Sequence, residues 1–271
     1  MSTTFHEKRI LGRTGLSVGR LGISAGYGAP CDAFLEAFDA GVNYFYWGSR
    51  RTGAMAEAIR RIVARGKRDE IVLVVQSYSR SALLMRRWFQ GALKGLGVDS
   101  ADVLLLGWRD RWPSKRLLDE AEAMREKGLF RHLAFSSHNR PLIPEMSGDR
   151  RFGLFHVRYN AAHRGAEQEV FPRLVQEDRP GVVTFTATRW GDLLNPKKMP
   201  PGEEPLSAGD CYRFALSHPA VDVCMTGPAS AAHVREALSA LDGGPMDEQE
   251  MARVRRIGDH VHAHHKRPFS G

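Results

Sequence analysis

The stretch IVLVVQSYSRSALLMRRWFQGALKGLGVDSADVLLL, residues 71–106, decides the fold. It opens on an unbroken apolar run, Ile71 to Val75, passes through an amphipathic segment from Ser81 to Leu96, and closes on a second run, Val103 to Leu106. A continuous apolar run suits a strand buried on both faces, and an amphipathic helix between two such strands covers one face of a parallel sheet. The unit reads as strand, helix, strand.

The same alternation continues outward in both directions. Apolar runs stand at Leu21-Gly22-Ile23, Tyr44-Phe45-Tyr46, His132 to Phe135, Leu154 to Val157, Val182 to Phe185 and Val221 to Met225, making eight candidate strands with the two above. Helical patterns lie among them at Ala33 to Ala40, Met55 to Ala64, Lys115 to Glu126, Ala166 to Gln176, Ala208 to Ser217 and Ala232 to Leu241. Eight such units in a chain of 271 residues predict a closed (β/α)8 TIM barrel, with an open doubly wound sheet as the alternative. Two short apolar runs around a glycine turn, Ile10 to Val18, predict an N-terminal β-hairpin able to plug the barrel's bottom. Asp247 to His265 predicts an extra C-terminal helix, acidic at its start and basic at its end. The segment NPKKMPPGEEP, residues 195–205, reads as an exposed loop, and no Gly/Ser-rich linker divides the chain. A single barrel domain over residues 1–271 is expected.

Composition narrows the function classes. With 42% hydrophobic residues the chain can bury a real core, which excludes disorder as the main reading. No apolar run nears the roughly 20 residues of a spanning helix. The start MSTTFHEKR also lacks the apolar stretch of a signal peptide, so a cytoplasmic, membrane-free protein is expected. Cys31, Cys211 and Cys224 suggest neither a disulfide framework nor a metal site. The net charge of +8 is spread along the chain, which argues against a nucleic-acid partner and fits a polyanionic small molecule. His260, His262, His264 and His265 have the composition of a metal tract, but only Asp259 is at hand to complete a set, and a solvated tail without metal is expected.

Six segments in fixed order carry a family resemblance. They are ILGRTGLSVGRLGIS from Ile10, GVNYF from Gly41, SADVLLL from Ser100, EKGLFRHLAFSSH from Glu126, RYNAAHRGAEQEVFP from Arg158 and GPASAAHVREAL from Gly227. Together they make the chain resemble the aldo/keto reductase family over essentially its whole length. That resemblance implies a (β/α)8 barrel, bound NADP(H) and carbonyl reduction or alcohol oxidation of a small molecule at the C-terminal mouth. It also implies a Tyr proton donor whose pKa a Lys paired with an Asp lowers, and a His that orients the carbonyl.

Residue by residue, that set is replaced. Tyr46 stands at the Asp position, Thr52-Gly53 at the Tyr-Gly position, Gln76 at the Lys and Gly107 at the His. The side chains left to serve a reaction are Tyr46, Gln76, Arg51 and His138, with His163 a further imidazole. On the cofactor side the resemblance assigns Ser136 and Ser137 to the carboxamide and His156 to the usual Gln position. Phe185 is assigned to ring stacking, and Gly227, Ser230, His233 and Arg235 to the adenosine-phosphate loop. Strand ends and their loops also bring Trp47, Trp108, Arg158, Asn160, Arg189 and Trp190 toward the mouth as substrate residues. A rim of arginines and aromatics suits an anionic or aromatic ligand. Two other function classes stay open: non-redox acid/base chemistry such as elimination, cyclisation or isomerisation, and a catalytically inactive binding protein.

Overall fold

Eight parallel strands close on themselves in a computed structural model that describes residues 4–48, 52–174 and 177–264. A short antiparallel pair, β1 (Arg9–Ile10) and β2 (Ser17–Val18), precedes them. The barrel strands are β3 (Leu21–Ser24), β4 (Tyr44–Trp47), β5 (Val72–Ser77), β6 (Ala101–Leu106), β7 (Phe130–Ser137), β8 (Phe152–Arg158), β9 (Gly181–Phe185) and β10 (Val223–Thr226). Each pairs with the next in sequence, and β10 pairs with β3, Cys224 against Leu21, so no sheet edge remains. The open-sheet alternative is excluded.

Side chains alternate across the strands with a period of about two. Tyr44, Val72, Val74, Val103, Leu105 and Val183 point into the barrel and form its interior packing. Phe45, Leu73, Val75, Leu104, Leu106 and Val182 point out to the helices. The hairpin residues Leu11 and Val18 are fully buried in the interior cluster, and a bridge from Gly12 to Pro180 fastens the hairpin to the approach to β9. The bottom of the barrel is thereby closed with apolar side chains.

The helices are α1 (Cys31–Asp39), α2 (Gly53–Ala64), α3 (Ala82–Leu96), α4 (Lys115–Glu126), α5 (Leu142–Ser147), α6 (Ala166–Glu169), α7 (Ala208–Ser217), α8 (Ala231–Gly243) and α9 (Glu248–His264). Serine caps define where four of them start: the Ser81, Ser114, Ser207 and Ser230 hydroxyls accept from the backbone N–H of Leu84, Leu117, Asp210 and His233. One expectation needs correction. The helix expected from Ala166 to Gln176 ends at Glu169 and gives way to a 3-10 turn, Phe171–Arg173, because Pro172 has no N–H to continue the ladder. Gln176 itself lies outside the described residues. The short helix α5 carries Pro144 within its six residues and gave no periodic signal. Among the described residues no helix is long and apolar enough to cross a membrane.

Candidate active site at the barrel mouth

The inward register of β3 to β10 ends, at the C-terminal face, on a cavity of about 280 Å³. Tyr46, Gln76, Ser136, His156 and Phe185 reach it from strand ends. His138, Trp108, Trp190 and Gly227 reach it from the loops that follow. Tyr27, Tyr78 and Tyr212 complete an aromatic wall. Its described lining residues include no Asp, Glu, Lys or Arg, so the described lining carries no fixed charge.

Gln76 and Gly107 fit together at the floor. A Cβ on Gly107 would fall onto the Gln76 amide, 2.5 Å from its Cδ and 3.0 Å from its Cγ, so the glutamine side chain fills the space that any side chain at position 107 would need. Gly227 is held bare in the same way: a Cβ there would stand 2.6 Å from Cε2 of Tyr27, whose ring lies on the Gly227 backbone. Both glycines therefore answer to a close approach.

The titratable groups are poised to stay uncharged. Burial raises the Tyr46 phenol well above its ordinary pKa, and the adjacent Tyr78 phenol, 3.4 Å away, adds to the shift. His156 is buried beside Tyr44, with Nε2 and the Tyr44 hydroxyl 2.7 Å apart, and burial depresses its pKa to about 3. Burial, with Arg158 nearby, also lowers His138. The His138 ring stands edge-on to Phe185, centroids 5.7 Å apart, and its Nδ1 is buried without a hydrogen-bond partner. The Gln76 Oε1 is likewise buried and unpartnered.

Strain collects in the mouth loops. Trp108, Thr186, Arg189 and Trp190 all have left-handed backbone, with φ of 51°, 59°, 51° and 54°. Such conformations cost energy for residues with a Cβ and persist only where the surroundings fix them. Here the anchors are visible. Asn160 Nδ2 donates to the Thr186 carbonyl at 2.9 Å, and Arg189 donates to the Val261 carbonyl of α9.

Those anchors correct the substrate assignments of Arg158, Asn160 and Arg189. None of the three lines the cavity, and all are buried. The Asn160 side-chain Oδ1 accepts from Ala162 and His163 N–H while its Nδ2 donates to Thr186, so the side chain is committed to local turns. Arg189 is committed to the end of α9. Arg158 lies beside Arg140 and Arg189, which with burial lower its pKa. Neighbouring arginines are internally committed too: Arg109 to the Ser79 carbonyl, Arg140 to Glu169, and Arg164 to Asp259. The expected cationic rim is largely internal scaffolding.

Ser137 is buried facing the helices, its hydroxyl accepting from Asn139 N–H at 2.9 Å, so it does not reach the cavity. Ser230 caps α8, and His233 Nδ1 accepts from Ala229 N–H at 3.3 Å. Arg235 is exposed and paired with Glu36 at 2.7 Å. Trp47 lines a second, more open groove of about 1310 Å³ on the outer side of β5, and Trp108, Gln76 and Tyr78 line both spaces. Arg51 lies outside the described residues, as does His265. His163 is held by Asn160 at 3.3 Å, with its pKa depressed to about 3 by burial and nearby arginines, and lies outside both spaces. No metal-binding group of His, Cys, Asp and Glu occurs among the described residues.

Sequence reasoning missed Tyr27 and Tyr212. Tyr27 follows directly on β3 and was open to the same strand-end argument as Tyr46. Tyr212 sits on α7, and no sequence signal separates it from an ordinary core aromatic.

The sequence model of the Aldo/keto reductase family matches residues 28–198, more than half of the chain. No curated protein matches the sequence significantly. Among solved structures, the holo form of aldo-keto reductase AKR11C1 from Bacillus halodurans is 20% identical, with 93% of this chain and 96% of that one covered and a TM-score of 0.77. An aldo-keto reductase from Klebsiella pneumoniae in complex with NADPH is 21% identical, with 93% and 95% covered and a TM-score of 0.75. A Klebsiella pneumoniae aldo/keto reductase in complex with NADP and acetate gives 21%, 93%, 96% and 0.74. At such identities these structures attest the shared barrel, and it is the family match across residues 28–198 that decides kinship: the chain belongs to the aldo/keto reductase family.

Proposed function

We propose that this protein is an NADP(H)-dependent oxidoreductase with an atypical active site, in which Tyr46, Thr52, Gln76 and Gly107 stand where the family pattern has Asp, Tyr, Lys and His. The observation that carries the reading is the convergence of Phe185, Ser136, His156 and Tyr46 on one neutral cavity at the C-terminal ends of the strands. The residues present fit a nicotinamide: a partly buried aromatic ring for stacking, a serine hydroxyl for the carboxamide, and no fixed charge to oppose a cationic ring. At the far end, the first turn of α8 offers backbone N–H groups beside Ser230, and Arg235 can exchange its exposed Glu36 partner for a phosphate.

When bound, the nicotinamide supplies or accepts a hydride. The chain's own part is to hold the substrate oxygen and move one proton. The Tyr46 phenol stays protonated and acts as a neutral hydrogen-bond and proton donor, with Tyr78, at 3.4 Å and partly in solvent, as the route for proton return. Without an ammonium group to lower its pKa, Tyr46 is a weak acid, so slow turnover is expected. Neutral His138, edge-on to Phe185, fixes the ring and faces the same space. The substrate is a small molecule with an aromatic body. Three unpaired cysteines agree with a cytoplasmic setting.

The neutral lining also favours a second reading, non-redox chemistry or simple binding, because no group in it has a pKa drawn toward 7. Titrating the protein with NADPH while following tryptophan emission separates the two. Saturable binding in the micromolar range, weakened at least about tenfold in Phe185→Ala, is expected from the loss of a stacking ring. Absence of saturable binding below the millimolar range contradicts the oxidoreductase reading.

A further inference from the structure

The outer groove, about 1310 Å³, meets the inner cavity across Gln76, Tyr78 and Trp108 but is a separate space with different chemistry. Its walls are indoles. Trp88 and Trp108 are 56% and 61% exposed, an unusual degree for residues this large, and Trp47 carries a buried Nε1 with no acceptor. Its ionised groups are Arg80 and Asp110, and neither side chain has a hydrogen bond or ion pair among the described residues. That separates Arg80 from Arg109, Arg140, Arg164 and Arg189, each tied to a carbonyl or carboxylate of the fold. Arg80 also lies close enough to the buried Arg109 to lower its pKa further. With both guanidinium groups set against the single Asp110 carboxylate, the local balance is positive.

We propose that this groove is a second ligand subsite, that it takes a flat aromatic group carrying an anionic substituent, and that Arg80 is the partner of that anion. The indoles supply broad apolar faces, and the guanidinium presents a planar donor fork that matches a carboxylate or phosphate. Asp110 marks the side of the groove from which the anion is turned away. Gln76 is the partition between the two spaces, since its amide lies over Gly107 and borders both. The subsite stands on the groove alone. That its occupant is the far end of a substrate whose reacting end lies in the inner cavity rests on the oxidoreductase reading.

Calorimetric titration with 2-naphthoate and with uncharged 2-naphthamide tests the proposal. The wild type binds naphthoate saturably and more tightly than naphthamide. Arg80→Gln weakens naphthoate at least about tenfold, the worth of one charge-assisted hydrogen bond, and leaves naphthamide within about twofold. Trp88→Ala weakens both probes, and Asp110→Asn leaves naphthoate binding equal or tighter. All three positions are exposed, so the fold is retained, which thermal melting checks. No saturable naphthoate binding by the wild type, or unchanged naphthoate affinity in Arg80→Gln and Trp88→Ala, overturns the proposal. Naphthoate held through Arg80 by a wild type that fails to bind NADPH supports the subsite and removes the oxidoreductase reading alone.

Discussion

At the end of β4 the Tyr46 phenol is enclosed by aromatic neighbours, and among the described residues its hydroxyl has another phenol, Tyr78, within reach. Enclosure disfavours the phenolate, so Tyr46 keeps its proton through the neutral range. An ultraviolet pH titration comparing the wild type with Tyr46→Phe is expected to reveal no Tyr46 ionisation below about pH 10, the reference value for a free phenol. Ionisation near neutrality would mean that an unrecognised cation acts on it. His156 makes a second prediction. Its folded pKa of about 3 lies below the ordinary 6.5, so the unfolded chain binds the proton first as acid is added. Stability falls as pH drops from about 6.5 toward 3, with this residue adding up to about 1.4 kcal/mol per pH unit. Denaturant unfolding across that range should be measurably less steep in pH for His156→Gln, which keeps a hydrogen-bonding partner for Tyr44. An equal pH slope in both proteins contradicts the assignment. At this scale the sequence disclosed which residues end the strands, because alternation fixes the inward side. It did not disclose that Gln76 lies over Gly107, since that depends on the rotamer of one side chain against another strand.

The element that shapes the mouth is the loop after β9. Three of its residues, Thr186, Arg189 and Trp190, are left-handed, and the loop is kept so by Asn160 from the segment after β8 and by α9. Arg189 presents a buried guanidinium to one of the last carbonyls of α9, where the helix end is negative. Replacing it with alanine leaves that carbonyl without its donor and frees a strained loop. Arg189→Ala is therefore expected to lose roughly 2–4 kcal/mol in denaturant unfolding and to weaken any ligand held between Trp108 and Trp190. Unchanged stability would contradict the anchoring role. Sequence reading put Arg189 among ligand contacts because it follows a strand end. What reversed the assignment is the docking of α9, whose contacted carbonyl lies 72 residues further on, which local pattern does not encode. The helices α3, α4 and α7 were legible to within a residue or two from their apolar spacing. The short α5 was not, because six residues with an internal proline carry no period.

At the scale of the molecule, closure of the barrel is what brings residues from positions 24 to 227 around one opening. Eight apolar runs alternating with amphipathic segments made that closure readable from sequence. The ligand was less readable, since a barrel admits many chemistries and the fold does not by itself name the reaction. On the proposed reading the inner cavity is a nicotinamide site served by Tyr46. A crystal structure of the protein with NADPH tests it most directly. The expected complex has the nicotinamide ring stacked on Phe185, its carboxamide within hydrogen-bond distance of Ser136, and the Tyr46 hydroxyl as the nearest proton donor to the reacting face. A dinucleotide bound elsewhere, or a nicotinamide turned away from Phe185 and Tyr46, would contradict it.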